Sequence, residues 1–364
     1  MSRSPKENTD KTCEVSWFSA LCDDDYEFLG QPDPMLQSSW EHCRNIAMTA
    51  EKGGFDNLLL PSGYQLGLDT TVFASAIAPY LETMRLLMAV RIGEDWPPQL
   101  ARRIATLDRI MGGRLTINII SSDLPGQKLD SEPRYARTVE VMKILKSMLS
   151  GEHLSHQGEF YDLDLDPPRI TTVSGKCPPL YFGGLSPAAR DAAAEAADVY
   201  LMWPDTMEKV REVVGDLSRR AASKGRKLKF GYRAHVIVRE TEDEARAYAA
   251  RLLSKLDDDV GAAIRAKSLD AATAGVGRQS ELRASAADDG FVEDNLWTGI
   301  GRARSGCGAA IVGNPDQVLA KIRAYQAEGI DAFILSGYPH AAECDLFARH
   351  VLPQINHGPL ILED

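Results

Sequence analysis

The chain has 364 residues, with 41 Lys+Arg against 52 Asp+Glu and a formal net charge of −11. An acidic protein lacks the basic face that a nucleic-acid partner needs, yet a few local cations suffice to hold a small anion. Six scattered cysteines (Cys13, Cys22, Cys43, Cys177, Cys307, Cys344) include no C-x-x-C pair, which argues against both a metal site and a secreted disulfide framework.

No apolar run approaches the ~18 residues of a membrane span, and the opening MSRSPKENTDK has no apolar signal core. The expectation is a cytoplasmic protein with no membrane partner and a disordered tail over 1–14. Short apolar runs then alternate with longer amphipathic stretches. Residues 15–20 read as a strand, 35–52 as a helix, 57–61 as a strand, 70–79 as a helix and 85–90 as a strand. Pro97 and Pro98 suit the first turn of a helix running to Met111, which Gly112 and Gly113 stop. A strand follows over 114–120 and a helix from Pro133 to about Gly151. Strands at 180–182, 199–202 and 230–238 are separated and followed by helices at 187–197, 207–224 and 242–256. A helix at 315–328, a strand at 332–336 and a helix at 342–352 complete the series.

Each parallel crossover needs a covering helix, so strict alternation implies a parallel sheet. Eight strand-like runs favour a closed (β/α)₈ barrel over an open sheet, in a single domain spanning 1–364. The stretch 257–306 breaks the rhythm: it is rich in Ala, Gly and Ser, holds several arginines and shows no clean strand. It reads as a mobile insertion after the seventh strand, either plain surface or a lid over the barrel mouth.

Active sites of such barrels lie at the C-terminal ends of the strands. The seventh strand carries Arg233 and His235, two apart and therefore on one face. Their alternatives are a pocket for an anion or burial with Arg233 paired to a carboxylate such as Asp198. The last strand ends in Ser336-Gly337-Tyr338-Pro339-His340, which brings Tyr338 and His340 to the catalytic rim. Tyr181-Phe182-Gly183-Gly184-Leu185-Ser186-Pro187 runs from a strand into a helix. It reads equally as a phosphate cradle or as a plain N-cap at Ser186. Asn118, within an apolar strand, needs hydrogen-bond partners. Trp203 is a packing plug or a stacking wall. Neither G-x-G-x-x-G nor a Walker loop is present, so nicotinamide and NTPase readings are weak.

With these residues the sequence resembles the flavin-dependent alkanesulfonate monooxygenases of the bacterial-luciferase-like superfamily. The match runs over about 15–352. It is most specific in Ala105-Thr106-Leu107-Asp108-Arg109, Tyr181-Phe182-Gly183-Gly184, residues 230–240, Asn295-Leu296-Trp297 and residues 335–340. The resemblance implies a luciferase-like TIM barrel with a lid insertion after strand 7. It implies FMN as the reduced cofactor (FMNH₂), O₂ as co-substrate, and FMNH₂ supplied by a separate NAD(P)H-dependent FMN reductase. The products would be sulfite and an aldehyde, from a homodimer or homotetramer. By resemblance, Arg233, His235, Arg304 from the lid, Tyr338 and His340 are catalytic. Asn118, Tyr135, Gly184, Ser186 and Trp203 would hold FMN.

The sequence departs from the alkanesulfonate pattern. Leu66 stands where a cysteine is usual, Cys22 near the place of a histidine, Gln31–Pro32 near that of an acid, and Leu185 replaces a serine. Gln31, Tyr64 and Gln65 suit a hydroxylated substrate, because burying an unpaired polar group costs about 1–3 kcal/mol. This pattern resembles the sulfoquinovose monooxygenases, whose products are sulfite and 6-oxo-glucose. Trp203, Arg233, Arg304 and His340 would complete the substrate contacts. A generalist alkanesulfonate monooxygenase, a deazaflavin-dependent oxidoreductase and a non-catalytic flavin- or anion-binding barrel are the alternatives.

Overall fold

The structure, a computed structural model, describes residues 11–65, 67–266 and 273–362. Leu66, residues 1–10 of the expected tail and part of the insertion lie outside the described residues.

Eight parallel strands close on themselves: Glu14–Phe18, Asn57–Leu60, Arg85–Arg91, Leu115–Ile120, Leu180–Phe182, Val199–Met202, Lys229–Val238 and Ala332–Ser336. Each pairs with the next, and the eighth pairs with the first through registers such as Val15 with Phe333. Helices cover the outside. The main apolar core lies between helices and strands, joining Val15, Leu58, Met88, Ile117, Phe182 and Leu335 to residues such as Ile46, Ile104 and Leu145. Inside the barrel a smaller cluster gathers Phe18, Leu59, Leu87, Tyr181, Val199 and Ile334. That inner packing makes the barrel a solid support whose upper rim carries the site.

Side-chain caps set several helix starts. Ser39 caps Trp40–Gly53 by accepting from His42 N at 3.1 Å, so the helix starts later than 35. Thr241 with Glu244 and Asn314 with Gln317 form capping boxes.

Four features differ from the sequence expectation. The inner end of the 1–14 tail is ordered: Cys13 and Glu14 are buried, and Cys13 bridges to His357 of the C-terminal segment. An antiparallel hairpin, Leu154–Gln157 with Asp162–Leu165, projects after the fourth strand's helix, and Glu140 accepts the backbone amides of Glu159, Phe160 and Tyr161 in its turn. The last helix begins at His340 rather than 342.

The insertion shows the fourth difference, because it is built rather than featureless. It contains helices Asp258–Ala266 and Ala274–Ala284 and the short strands Phe291–Glu293 and Leu296–Trp297. These strands join Ala310–Gly313, which runs parallel to the outer half of the seventh strand. The eighth strand pairs with the seventh only as far as His235, and beyond it residues 236–238 pair with Ile311, Val312 and Gly313 alone. The long seventh strand therefore forks, one half in the barrel and one half carrying the annex. Leu29, Ile237, Leu252, Trp297, Ile300, Val312 and Tyr338 form the apolar core beneath it.

Candidate active site

A cavity of about 820 Å³ opens at the C-terminal rim of the strands. Its walls come from several strand ends and loops: Phe18 and 22–24, 61–65, Arg91, 118–121, 183–185, 200–203, Arg233, and 303–307 of the insertion.

Arg233 lies on this wall with only 3% of its surface exposed. Its Nη1 donates to Ala234 O at 2.7 Å, Nη2 is buried without a partner, and the guanidinium sits 4.3 Å from the centroid of the Phe18 ring. Among the described residues it has no carboxylate partner. Asp198, the alternative raised by the sequence, pairs instead with Lys146 at 2.5 Å and Arg226 at 3.5 Å. Burial pulls Arg233 below its ordinary value, with a smaller push in the same sense from Arg304, although a guanidinium keeps its proton.

Arg304 reaches in from the insertion. Its Nη1 donates to Asp24 Oδ2 and, at 3.0 Å, to the Tyr338 phenol, and its guanidinium lies 5.3 Å from the same Phe18 ring. Burial works against its charge, but Tyr338 and Asp24 outweigh burial and hold it well above the ordinary arginine value.

His235, Tyr338 and His340 lie behind this pair rather than on an open rim. His235 and His340 are 0% exposed and Tyr338 is 1% exposed. The annex roofs over the turn that the sequence places at the mouth, which is why these side chains are sealed. His235 stacks on Tyr338 at 5.0 Å and makes a 2.8 Å hydrogen bond between Nδ1 and Ser336 Oγ, while its Nε2 has no partner. Burial, followed by Arg233 and Arg304, pushes His235 well below its ordinary value, so the imidazole is neutral near pH 7. His340 donates its backbone N–H to Asp25 Oδ1 at 3.0 Å, and its Nδ1 lies 2.9 Å from the same oxygen without hydrogen-bond alignment. His42 Nε2 is 2.8 Å from Asp25 Oδ2. Burial pushes the Asp25 carboxyl up, but His340 and His42 outweigh it and hold it well below the usual carboxylate range.

The opposite wall has a different character. Asn118, Tyr135, Gly184 and Trp203 line it together. Asn118 makes no side-chain hydrogen bond among the described residues. A Cβ on Gly183 would stand 2.0 Å from Leu201 O, and one on Gly184 would stand 2.6 Å from Ala189 Cβ, so both positions are closed to a side chain. Ser186 is not on the wall: its Oγ accepts from Ala189 N at 3.2 Å and caps Pro187–Ala196, the capping alternative of the sequence reading. Trp203 is both wall and plug, since its indole faces the cavity and is clamped by Gly275 and Gly306 of the insertion. Tyr64 and Gln65 are exposed at the mouth. Gln31 is not there: its Nε2 donates to Lys255 O at 2.9 Å on the outer surface, which removes it from the set expected to contact substrate.

Two further residues went unread in the sequence. Asp24 sits in Asp23-Asp24-Asp25 just beyond the first strand, a rim position that its place alone could have flagged. Arg91 closes the third strand one residue past the apolar run. It binds Ser122 Oγ and, at 3.2 Å, Ser62 O, and its Nε lies 3.4 Å from Glu94.

A family model described as luciferase-like monooxygenase matches residues 27–332. The chain belongs to this family. A sulfoquinovose monooxygenase from Novosphingobium aromaticivorans is 72% identical over 358 residues, covering 96% of this chain and 99% of that protein. Another from Agrobacterium fabrum is 50% identical over 345 residues, covering 94% and 89% respectively. Among solved structures, a riboflavin lyase aligns with a TM-score of 0.77 at 19% identity, covering 94% of this chain and 91% of that one. An EDTA monooxygenase from Chelativorans sp. BNC1 aligns at 0.76 and 16% identity, covering 94% and 93%. At such identities the likeness is one of fold, and chemistry has to be argued from the site. For this member of the luciferase-like monooxygenases the candidate site is the cavity above. No helix among the described residues is long and apolar enough to cross a membrane.

Proposed function

We propose that this monooxygenase takes up reduced FMN and, with O₂, desulfonates sulfoquinovose to sulfite and 6-oxo-glucose. The observation that carries the reading is Arg233, a buried cation on the cavity wall that among the described residues has no carboxylate partner and keeps one donor unpartnered. A sulfonate is ionised at neutral pH and offers three acceptor oxygens to such a donor. The 72% and 50% identical relatives named for this activity support the choice of substrate.

The residues present fit a flavin. Gly183 and Gly184 bring bare backbone to the cavity wall, packed too closely on Leu201 O and Ala189 Cβ for any side chain, and Asn118 on the same wall makes no side-chain hydrogen bond among the described residues. Asn118, Tyr135, Gly184 and Trp203 would hold FMN, with Ser186 shaping the turn. When bound, the reduced flavin supplies two electrons, so that one oxygen atom of O₂ enters the product and the other leaves as water. The carbon–sulfur bond breaks, the carbon becoming an aldehyde and the sulfur leaving as sulfite. Arg233 and Arg304 bind the sulfonate oxygens and stabilise the charge that grows on the departing sulfite. Behind them the Tyr338 phenol accepts from Arg304, and the His235 and His340 rings pack on Tyr338 and hold it there. Ser62, Tyr64 and Gln65 at the mouth suit the sugar hydroxyls.

Reduced FMN comes from a separate NAD(P)H-dependent reductase, since the chain carries no nicotinamide-binding motif. Six unpaired cysteines suit a reducing cytoplasm. The exposed Val72, Tyr80 and Trp96 suit burial between copies in a homodimer or homotetramer.

The test is sulfite release in air with FMN, NADH and an unrelated flavin reductase, comparing sulfoquinovose with octanesulfonate. Sulfite from the sugar supports the proposal. Sulfite from the alkane alone overturns the substrate, and sulfite from neither overturns the reaction.

A further inference from the structure

We infer that Asp24 sets the charge selectivity of the anion subsite, offsetting Arg304 so that Arg233 is its one uncompensated guanidinium and the advantage of dianions over monoanions is reduced. The inference rests on the reading of Arg233 and Arg304 as the sulfonate site.

Arg233 and Arg304 flank one ring, at 4.3 and 5.3 Å from the Phe18 centroid. Two uncompensated guanidiniums so placed would suit a dianion such as sulfate, phosphate or the sulfite product. Asp24 Oδ2 accepts from Arg304, which leaves Arg233 as the uncompensated cation of the pair. Most other charged side chains of the wall are paired outside this cluster. Arg91 faces Glu94 at 3.4 Å, Lys209 is paired with Glu212, and Asp205 takes two 2.7 Å hydrogen bonds from Arg278. Asp23 accepts from the Ser38 amide at 2.7 Å and makes no ion pair with either guanidinium.

Asp24 is also poorly placed for a purely structural acid. Among the described residues its Oδ1 is buried with no hydrogen-bond partner, as are Arg304 Nε and Arg233 Nη2. A carboxylate retained for stability has its oxygens satisfied, because an unpaired buried polar atom is costly. One retained to tune charge needs only its position. The consequence for catalysis is directional. A monoanionic sulfonate is served by one uncompensated cation, whereas the second charge of sulfite costs more in desolvation than that single cation returns, which favours its release.

Coulomb energy is linear in ligand charge, so removing Asp24's charge strengthens a dianion's binding by the square of the factor for a monoanion. Sulfate and methanesulfonate form a near-isosteric pair that differs in charge, and both bind without turnover. Calorimetric titration of the full chain without flavin at mild alkaline pH reads the effect directly. For Asp24→Asn the expected gain is roughly fivefold for methanesulfonate and roughly twenty-fivefold for sulfate. Asp24→Glu keeps the wild-type preference. Arg304→Gln removes the opposite charge, so sulfate weakens more than methanesulfonate. That variant keeps the test open if Asp24→Asn fails to fold.

If Asp24 only tethers the insertion, Asp24→Asn weakens both anions equally, and that result overturns the inference. An unchanged ratio of the two affinities overturns it as well. Wild-type protein that binds neither anion overturns the subsite itself. A shifted ratio in a protein that leaves sulfoquinovose intact keeps the inference and rejects only the substrate.

Discussion

The barrel holds two buried polar clusters, one at each end, and they are built on opposite terms. At the end where the strands begin, Glu14 accepts from Tyr181 Oη at 2.8 Å, Leu360 N at 3.1 Å and Asn57 Nδ2 at 3.3 Å. Asn57 also donates to Thr116, which in turn donates to Leu86 O at 3.0 Å. Arg85 ties in the C-terminal segment through Leu360 O at 3.1 Å. At the other end Arg233 Nη2, His235 Nε2, Arg304 Nε and Asp24 Oδ1 are buried and unpartnered. The named atoms of both clusters are buried, so burial alone does not distinguish them. Satisfaction does: a complete network stabilises the fold, and an incomplete one waits for atoms that the protein does not supply.

The sharpest way to break this comparison is Arg233→Met. It removes a buried charge with no carboxylate, so the melting temperature holds or rises while sulfite release falls by about a hundredfold or more. A melting temperature that drops with activity would make Arg233 a structural residue after all.

Glu14→Ala is the mirror experiment. It strands the donors of Tyr181, Asn57 and Leu360 and costs about 2–4 kcal/mol of stability in denaturant titration, with KM unchanged. Burial pushes the Glu14 carboxyl up, which adds a pH signature. Stability from a raised acid is complete below its unfolded value and is lost as pH rises through its folded value. Wild type therefore loses stability relative to Glu14→Gln as pH rises above the ordinary glutamate value.

His235 reports the opposite sign. Its folded value is depressed, so the stability tied to the neutral ring is complete above the ordinary histidine value and lost as pH falls below it. Acid unfolding of wild type between about pH 6.5 and pH 5 should exceed that of His235→Gln, a window set by the ordinary histidine value.

The smallest effect belongs to Gln31→Ala. With Gln31 bound to Lys255 O outside the cavity, KM for sulfoquinovose stays within about twofold, as for surface substitutions elsewhere. A larger change would return Gln31 to the substrate contacts.

Local physics made most of the fold readable before any coordinates. Strands such as 230–238 and 332–336 announce themselves as apolar runs, because a strand covered on both faces has no polar side. Gly112 and Pro97 mark helix ends through backbone geometry that the next few residues decide. The pair Arg233 and His235 was legible for the same reason, since residues two apart on a strand share a face.

What tertiary structure decided is whatever depends on a partner distant in the chain. Strands of two and three residues, such as Leu296–Trp297, carry too short an alternation to read and exist because the outer half of the seventh strand offers them an edge. Gln31 and Asp24 both follow the first strand, and nothing local tells which one turns toward the cavity. Arg304, 280 residues from Asp24, makes that choice. Sequence sets the secondary structure and the inventory of polar side chains. Which of those side chains are left incomplete, and so are available to a ligand, emerges only when the closed barrel and its annex bring them together.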